Sequence, residues 1–118
     1  MQSLMIQSAG GLAIVIAIIH SVLGETHVFT KAAVQPVELH RLVHLLWHAP
    51  SVDWIAFGAL LIAAPMLLPA SAQPALVLVG TAIYGYAALT NAIATNGKHF
   101  GWMLLALVVA LLLGSLFV

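Results

Sequence analysis

The chain has 118 residues, of which 64% are apolar and 5% are charged, and its formal net charge is zero. Soluble domains carry about 25% charged residues, so a water-soluble fold of this size could not cover its surface with so few. We therefore expect the lipid bilayer to be the solvent and residues 1–118 to form one domain. The lack of cysteine excludes disulfides and thiolate chemistry, and no basic patch suggests nucleic-acid binding.

Four apolar runs follow one another along the chain, and about 20 apolar residues suffice for a helix to span a bilayer. They predict helices at about residues 4–23, 39–64, 75–95 and 100–118. The connections are short, and the backbone must satisfy its hydrogen bonds within the lipid. We therefore expect an all-α, polytopic membrane protein, a four-transmembrane-helix bundle of up-down-up-down topology.

Positive charges are confined to one side of this topology. Lys31 and Lys98 lie in the first and third connections, and Arg41 lies near the start of the second helix. By the positive-inside rule, this side is predicted to be cytoplasmic, and both termini are predicted to lie outside the cytoplasm.

Small residues recur at every fourth position in the first and last helices. They are Ala9, Ala13 and Ala17 in the first helix, and Ala106, Ala110 and Gly114 in the last. Faces of this kind let helix backbones approach closely in lipid. We therefore expect both faces to pack against other helices.

The second helix begins with an unusual stretch, HRLVHLLWHAPSVDW, which starts at His40. His40, His44 and His48 recur every fourth residue, so they lie within an arc of about 80° on a helix, and Ser51 shares this stripe. Asp53 falls on the far side of an ideal helix from His44. A carboxylate in lipid costs roughly 2.5–3.5 kcal/mol on insertion scales, so this one must be protonated, paired or facing water.

Two conformations are compatible with this stretch. One long helix could run from Pro36 past Asp53, kinked at Pro50 because proline removes one backbone hydrogen bond. Alternatively, residues 36–48 could form a separate amphipathic helix on the membrane surface, with Pro50 opening the spanning helix. We favour the long helix. Its first turns must lie outside the hydrocarbon core, because such a helix is longer than the core's thickness of about 30 Å.

Further polar residues are expected at the same membrane level. His20 lies near the end of the first helix and Glu25 follows that helix, Asn91 lies near the end of the third, and His99 opens the fourth. If the bundle closes, His20, His48, Asn91 and His99 converge. Ionisable residues inside membrane spans tend to be functional, so we expect a polar site there.

The residue types limit the chemistry of this site. Neutral imidazole binds transition-metal ions and also serves as an axial ligand of haem iron. We expect His20 and His48 to form the core ligand pair for a metal ion or haem, with a carboxylate to orient a ligand or carry a proton. The residues singled out are His20, His44 and His48 as metal ligands, His99 as a further cofactor ligand, and Glu25, Ser51, Asp53 and Asn91 as the rest of the polar site.

Other interpretations fit the same residues. A quinone head group could hydrogen-bond to His20 or Asn91, and a proton relay could run through histidine and Asp53. The histidines could also be ordinary amphipathic side chains with wet polar tips near the membrane interface. Asp53 could simply cap a helix that starts after Pro50. In these last two cases no cofactor would be bound.

Two short patterns resemble those of a known group of proteins. His20-x-x-x-Gly24-Glu25 ends the first helix, and Trp47-His48-x-x-Ser51 lies in the second. Together they resemble small, uncharacterised bacterial inner-membrane proteins with four predicted helices. The resemblance implies the four-helix architecture, a location in the bacterial inner membrane, and His20, Glu25, Trp47, His48 and Ser51 as shared positions. It implies no particular activity.

Three functional hypotheses follow. The first is a His-centred site near the cytoplasmic side that binds a metal ion or haem. The second is a non-catalytic accessory subunit that packs against a larger membrane complex. The third is a small transporter that works as an oligomer, with Asp53 in the path. An enzyme acting on soluble substrates is the least favoured class, since no nucleotide-binding loop or serine-nucleophile motif is present.

Overall fold

The computed structural model describes all residues of the chain, and every regular element in it is helical. Helix α1 spans Gln2–Leu23 and continues into a π-helical turn, Gly24–Val28. Helices α2, α3 and α4 span Val37–Leu67, Gln73–Ala94 and Gly101–Gly114, and a 3₁₀ turn, Ser115–Phe117, follows α4. The predicted all-α class is confirmed, and the helix ends lie a few residues from the predicted ones.

Three helical segments are long and apolar enough to cross a membrane by length and composition: Gln2–Val28, Val37–Leu67 and Gln73–Ala94. The fourth apolar segment, Gly101–Phe117, is shorter. At 1.5 Å per residue it extends about 26 Å, slightly less than the roughly 30 Å of a hydrocarbon core. The expectation of four spanning helices is thus supported for three of them, and the last falls just short in length.

Helix α2 runs without interruption through Pro50 and Pro65. The structure therefore confirms the long helix and not a separate surface helix over residues 36–48. Its 31 residues extend about 46 Å, which exceeds the thickness of a hydrocarbon core by several turns. Pro50 has no N–H group, so the carbonyl of Leu46 loses its helical donor. In a transmembrane placement, one end of α2 must project beyond the core.

The helices pack in the spatial order α2, α1, α4, α3, because the backbone of α1 lies close to those of α2 and α4, whereas the backbones of α2 and α3 are farther apart. Helices α1 and α2 approach most closely at two glycines. A methyl group added at Gly10 would lie 2.5 Å from the carbonyl oxygen of Gly58, and one added at Gly58 would lie 2.8 Å from that of Gly10. The seam between α2 and α3 is bridged where the Tyr84 hydroxyl donates to the carbonyl of Trp54 at 3.3 Å, and it is open as a surface groove beside Asp53 and Ile83.

The two small-residue faces differ in the structure. Ala9, Ala13 and Ala17 of α1 are fully buried, so this face is a packing surface as predicted. Ala110 of α4 is exposed, so the corresponding prediction for α4 is wrong at the centre of that face. Its neighbour Val108 is fully buried instead, because the α4 surface that meets the other helices is formed by larger aliphatic side chains.

Most apolar side chains point outward, since only 20 of the 118 residues are buried. Soluble monomers rarely expose continuous apolar patches larger than a few hundred Å². The exposed large side chains here are distributed along all four helices and include Leu46, Leu67, Tyr86 and Leu107. This outer surface is suited to contact with lipid.

One end of the molecule gathers the polar residues. The last turns of α1 and α3 meet parts of α2 and α4 around a single cavity. Helix α3 ends sharply, with Asn96 and Gly97 at φ values of 50° and 70°. The N–H of Gly97 donates to the carbonyl of Ala92 at 2.8 Å, and that of Asn96 donates to Ile93 at 3.2 Å, which is a Schellman ending. This ending turns the chain directly into α4 and places His99 at the same end.

Candidate metal centre and adjoining cavity

The end of α1 is fixed against α2 by a reciprocal contact between His20 and Trp47. Their rings are stacked, with centroids 4.5 Å apart and planes inclined by 6°. Nε2 of His20 donates to the carbonyl of Trp47 at 3.1 Å, and Nε1 of Trp47 donates to the carbonyl of His20 at 3.2 Å. Gly24, one turn after His20, lies against the indole, where an added methyl group would overlap the ring. This contact sets the register between the two helices.

Glu25, His44 and His48 form a compact cluster beside this contact, which we call the Glu–His–His group. Nε2 of His44 and Nε2 of His48 each lie 2.7 Å from the same carboxylate oxygen, Oε1 of Glu25. The two histidines are one helical turn apart and so share a face of α2. Glu25 comes from the π-helical turn that prolongs α1. The donor atoms of the three residues all lie within 4.8 Å of one another.

Two hydrogen-bonded hydroxyl groups lie on the Nδ1 side of the His48 ring, opposite the side that faces Glu25. Oγ of Ser21 lies 3.1 Å from Nδ1 of His48 and donates to Oγ of Ser51 at 2.8 Å. Because the Ser21 proton is given to Ser51, Nδ1 of His48 is the donor to Ser21. Nε2 of His48 donates to the Glu25 carboxylate. A bound metal ion would take the place of that Nε2 proton, while the Nδ1 hydrogen bond keeps the ring oriented, as such bonds do for ligating histidines.

The group is open to ions from outside the bundle. The side chains of Glu25, His44 and His48 retain 52%, 36% and 29% of their exposure. Phe29 covers one side, with its ring edge-on to that of His44 at a centroid distance of 4.7 Å. An exposed ion pair contributes only about 0–1 kcal/mol to stability, so this cluster is poorly explained as a device that holds the fold together.

The donor set matches known metal chemistry. Two imidazoles and one carboxylate form the ligand set of catalytic His₂Glu zinc sites and of non-haem iron(II) sites, both of which keep coordination positions open. Bonds of about 2.1 Å in tetrahedral geometry place neighbouring donor atoms roughly 3.4 Å apart. The N–O separations of 2.7 Å would therefore widen by well under 1 Å, which small side-chain rotations can supply.

The predicted metal set differs from the observed group by one residue. His44 and His48 are in it, but Glu25 is the third member, whereas His20 bonds to the backbone of Trp47. Sequence reasoning gave Glu25 only a supporting role and did not single out Ser21. The available signal was the spacing of Ser21 and Glu25, which are four residues apart and match the His44–His48 pair on the facing helix.

A cavity of about 330 Å³ adjoins the His20–Trp47 contact, and both rings line it. Its remaining polar lining comes from His27, Asn91, Thr95 and His99, and most of the wall is apolar. Three of the four residues expected to converge, His20, Asn91 and His99, therefore meet here. The fourth, His48, is not part of the cavity wall and belongs to the Glu–His–His group instead.

Asp53 lies apart from both features. It is exposed on α2 and borders the open seam between α2 and α3, together with Phe57, Leu60 and Ile83. Its separation from the histidines follows the helical spacing. Ser51 is buried at the contact with α1. The two short patterns that carry the resemblance, which include Gly24 and Ser51, thus meet each other across the α1–α2 contact.

Comparisons of the chain with protein-family models, with curated proteins and with solved structures found no match.

Proposed function

We propose that this protein is a small integral membrane protein that binds a divalent transition-metal ion at Glu25, His44 and His48. The observation that carries the proposal is the convergence of three donor atoms, from two different helices, within 4.8 Å of one another. The hydrogen-bonded hydroxyl of Ser21 supports the tautomer of His48 that a metal requires. With three protein ligands, at least one coordination position is left for water or another ligand.

The proposal includes a location and an orientation. The four helices form an up-down-up-down bundle in the bacterial inner membrane, with the histidine-bearing end on the cytoplasmic side and both termini outside. The exposure of Lys31, Arg41 and Lys98 supports this orientation, because these are all the Lys and Arg residues of the chain. The resemblance to small bacterial inner-membrane proteins supports the location.

A metal ion is favoured over haem by the surroundings of His20. An axial haem ligand needs a free nitrogen lone pair directed at the iron. Nε2 of His20 is bonded to the carbonyl of Trp47, and its ring face is covered by the indole. His48 offers its Nε2 to a different region, beside Glu25. Nδ1 of His20 keeps a lone pair, but His48 is not part of the cavity wall that His20 lines, so the predicted His20–His48 haem pair does not face one common site.

The test is metal binding by the full chain, purified in mild detergent and stripped with a chelator. Zn²⁺, Fe²⁺, Ni²⁺ and Cu²⁺ are titrated separately in competition with a chromophoric chelator, and bound metal is measured by elemental analysis. We expect about one equivalent of metal, and an affinity at least tenfold lower in Glu25→Gln and His44→Ala. His40→Ala is the matched control, because His40 shares the helix stripe but lies outside the group.

Two results would contradict the proposal. One is a wild-type protein that takes up none of the four ions. The other is an affinity that Glu25→Gln and His44→Ala leave unchanged. An absorption spectrum from 350 to 700 nm of the same sample addresses haem directly, because a Soret band lost in His20→Ala and His48→Ala would favour haem over a metal ion.

A second candidate function, that of a subunit packed against further membrane helices, is favoured by the position of Asp53. Its side chain is exposed on an apolar helix beside the open α2–α3 seam, and a carboxylate facing lipid is costly. Pairing with a second copy of the chain or with a larger complex would satisfy it. The test is the mass of the particle in lipid nanodiscs, for which this function predicts an assembly that Asp53→Leu disrupts and Asp53→Asn largely preserves. A lone wild-type chain that co-purifies with nothing else would exclude it.

A further inference from the structure

The cavity beside the Glu–His–His group is built for a ligand of mixed character. It lies among the ends of spanning segments, and nine of its fifteen lining residues are hydrophobic. Ile16, Ile19, Leu104 and Leu105 form much of this apolar wall. Its volume, about 330 Å³, is at the low end of the range of roughly 300–1,000 Å³ for small-molecule sites. Such a space accommodates a single substituted ring and excludes a macrocycle.

A hydrogen-bond donor in this cavity can be assigned from the contacts of His99. Nδ1 of His99 accepts the backbone N–H of Gly101 at 3.1 Å, so this nitrogen carries no proton. The proton of the neutral ring is therefore on Nε2. Nε2 makes no hydrogen bond within the protein, since the contact at Nδ1 is the only one that His99 makes. A neutral His99 thus offers an N–H group to a ligand.

Hydrogen-bond acceptors lie in the same wall. Oδ1 of Asn91 is buried and has no hydrogen-bond partner. A buried carbonyl without a partner is unfavourable, and a ligand hydroxyl would supply the missing hydrogen bond. His20 donates its Nε2 proton to Trp47, so its Nδ1 is also an acceptor. The cavity therefore combines an unused donor on His99 with unused acceptors inside an apolar enclosure.

We propose that this cavity binds the head group of a membrane quinone, in both its oxidised and its reduced form. A quinone carbonyl accepts the Nε2–H of His99, and a quinol hydroxyl donates to Oδ1 of Asn91. The apolar wall covers the ring, and Trp47 and Trp54 border the same space. The inference is independent of the metal site, because it rests on residues outside the Glu–His–His group.

The test uses a benzoquinone with a ten-carbon tail, its quinol, and decylbenzene as a ring-and-tail control without polar groups. Trp47 and Trp54 line the cavity, so binding is followed by quenching of their fluorescence. A Trp102→Phe background removes the third tryptophan, which is not in the cavity wall. All titrations are made on the full chain in detergent with excess chelator, so that loss of a bound metal cannot change the result.

We expect saturable quenching by the quinone and its quinol, and affinity at least tenfold lower for decylbenzene. His99→Ala should lower the affinity for the quinone by about five- to tenfold, the effect of one lost hydrogen bond. It should lower the affinity for the quinol less. Asn91→Leu should lower the affinity for the quinol more than the affinity for the quinone. His99→Gln, which keeps an N–H donor, should retain most of the affinity, and His40→Ala, outside both the cavity wall and the Glu–His–His group, should bind like the parent.

The outcomes that would overturn the proposal are distinct. Quenching that rises linearly without saturation would mean partition into the detergent micelle. Equal binding of decylbenzene and the quinone would mean an apolar pocket without head-group recognition, as would unchanged binding in both His99→Ala and Asn91→Leu. Circular dichroism and gel-filtration profiles of each variant establish whether it is folded. If His99→Ala is not folded, His99→Gln provides the comparison with the parent protein.

Discussion

The side chains of His20 and Trp47 each hydrogen-bond to the other residue's carbonyl oxygen while their rings stack at 4.5 Å. The contact serves both sides of this end of the molecule. On one side it fixes the register of α1 against α2, so that Glu25 meets His44 and His48. On the other side the same two rings form part of the cavity wall. The two candidate sites therefore depend on one structural contact.

Gly24→Ala is predicted to disturb that contact. The backbone of Gly24 is α-helical, with φ of −55° and ψ of −54°, so alanine is compatible with it and the effect is purely steric. The added methyl group would overlap the Trp47 indole. We expect a loss of about 1–3 kcal/mol in the free energy of unfolding, measured by titration with a denaturing detergent and circular dichroism. Metal affinity should also fall, because Glu25 follows directly.

The control for this change is Gly85→Ala in α3. An added methyl group there meets only Cγ2 of Val109, at an ordinary contact distance of 3.9 Å. Alanine is also favoured over glycine in helices by about 1 kcal/mol. Gly85→Ala should therefore be neutral or stabilising. Equal stability of the Gly24→Ala and Gly85→Ala proteins would show that the indole does not pack as described.

Neighbouring glycines in α1 are predicted to respond in opposite ways to alanine. The methyl group of Gly10→Ala would lie 2.5 Å from the carbonyl oxygen of Gly58. Because this oxygen belongs to the backbone, the two helices would have to move apart to relieve the overlap. That of Gly11→Ala meets nothing within 4 Å. We expect Gly10→Ala to lower the free energy of unfolding by about 1–3 kcal/mol and Gly11→Ala to raise it slightly. The same denaturation assay in detergent measures both, and matching behaviour of the two variants would refute the close crossing of α1 and α2.

The fold was largely predictable, because long apolar runs separated by short polar segments leave few alternatives in lipid. The helix stripe that unites His44 with His48, and the separation of Asp53 from both, also followed from helical period alone. The third member of the Glu–His–His group could not be predicted from the helical period. Glu25 reaches the histidines because α1 extends into a π-helical turn and because Trp47 fixes the register of two helices. Both depend on contacts between residues far apart in the sequence, which periodicity does not encode.

The cavity was predictable only in part, for the same reason. His20, Asn91 and His99 could be assigned to one membrane level from their positions near helix ends. Their protonation and free hydrogen-bonding atoms depend on local partners, such as the Gly101 N–H that fixes the tautomer of His99. Sequence spacing cannot assign a tautomer, so the donor and acceptor character of the wall required the structure.

Ser21→Ala is predicted to weaken metal binding without removing a ligand. The hydroxyl of Ser21 holds Nδ1 of His48, and loss of such a supporting hydrogen bond typically costs about 10–100-fold in metal affinity. Ser8→Ala, at an exposed position of the same helix, is the matched control and should bind metal normally. Chelator competition on the wild type, Ser21→Ala and Ser8→Ala measures the metal affinity of each protein. Normal affinity in Ser21→Ala would mean that His48 is oriented by other contacts.

Metal affinity is predicted to fall on acidification, with a steepness set by the number of histidine ligands. Protons compete with metal ions for imidazole nitrogens, so acid weakens metal binding. Since His44 and His48 must both release a proton to ligate, the plot of log Kd against pH should approach a slope of about −2 at low pH. In His44→Ala the slope should approach about −1, whereas Glu25→Gln should bind more weakly with a slope near that of the wild type. Chelator competition between pH 5.5 and 7.5 gives these slopes. If the wild-type and His44→Ala slopes coincide, one histidine at most ligates the metal, and the two-histidine assignment fails.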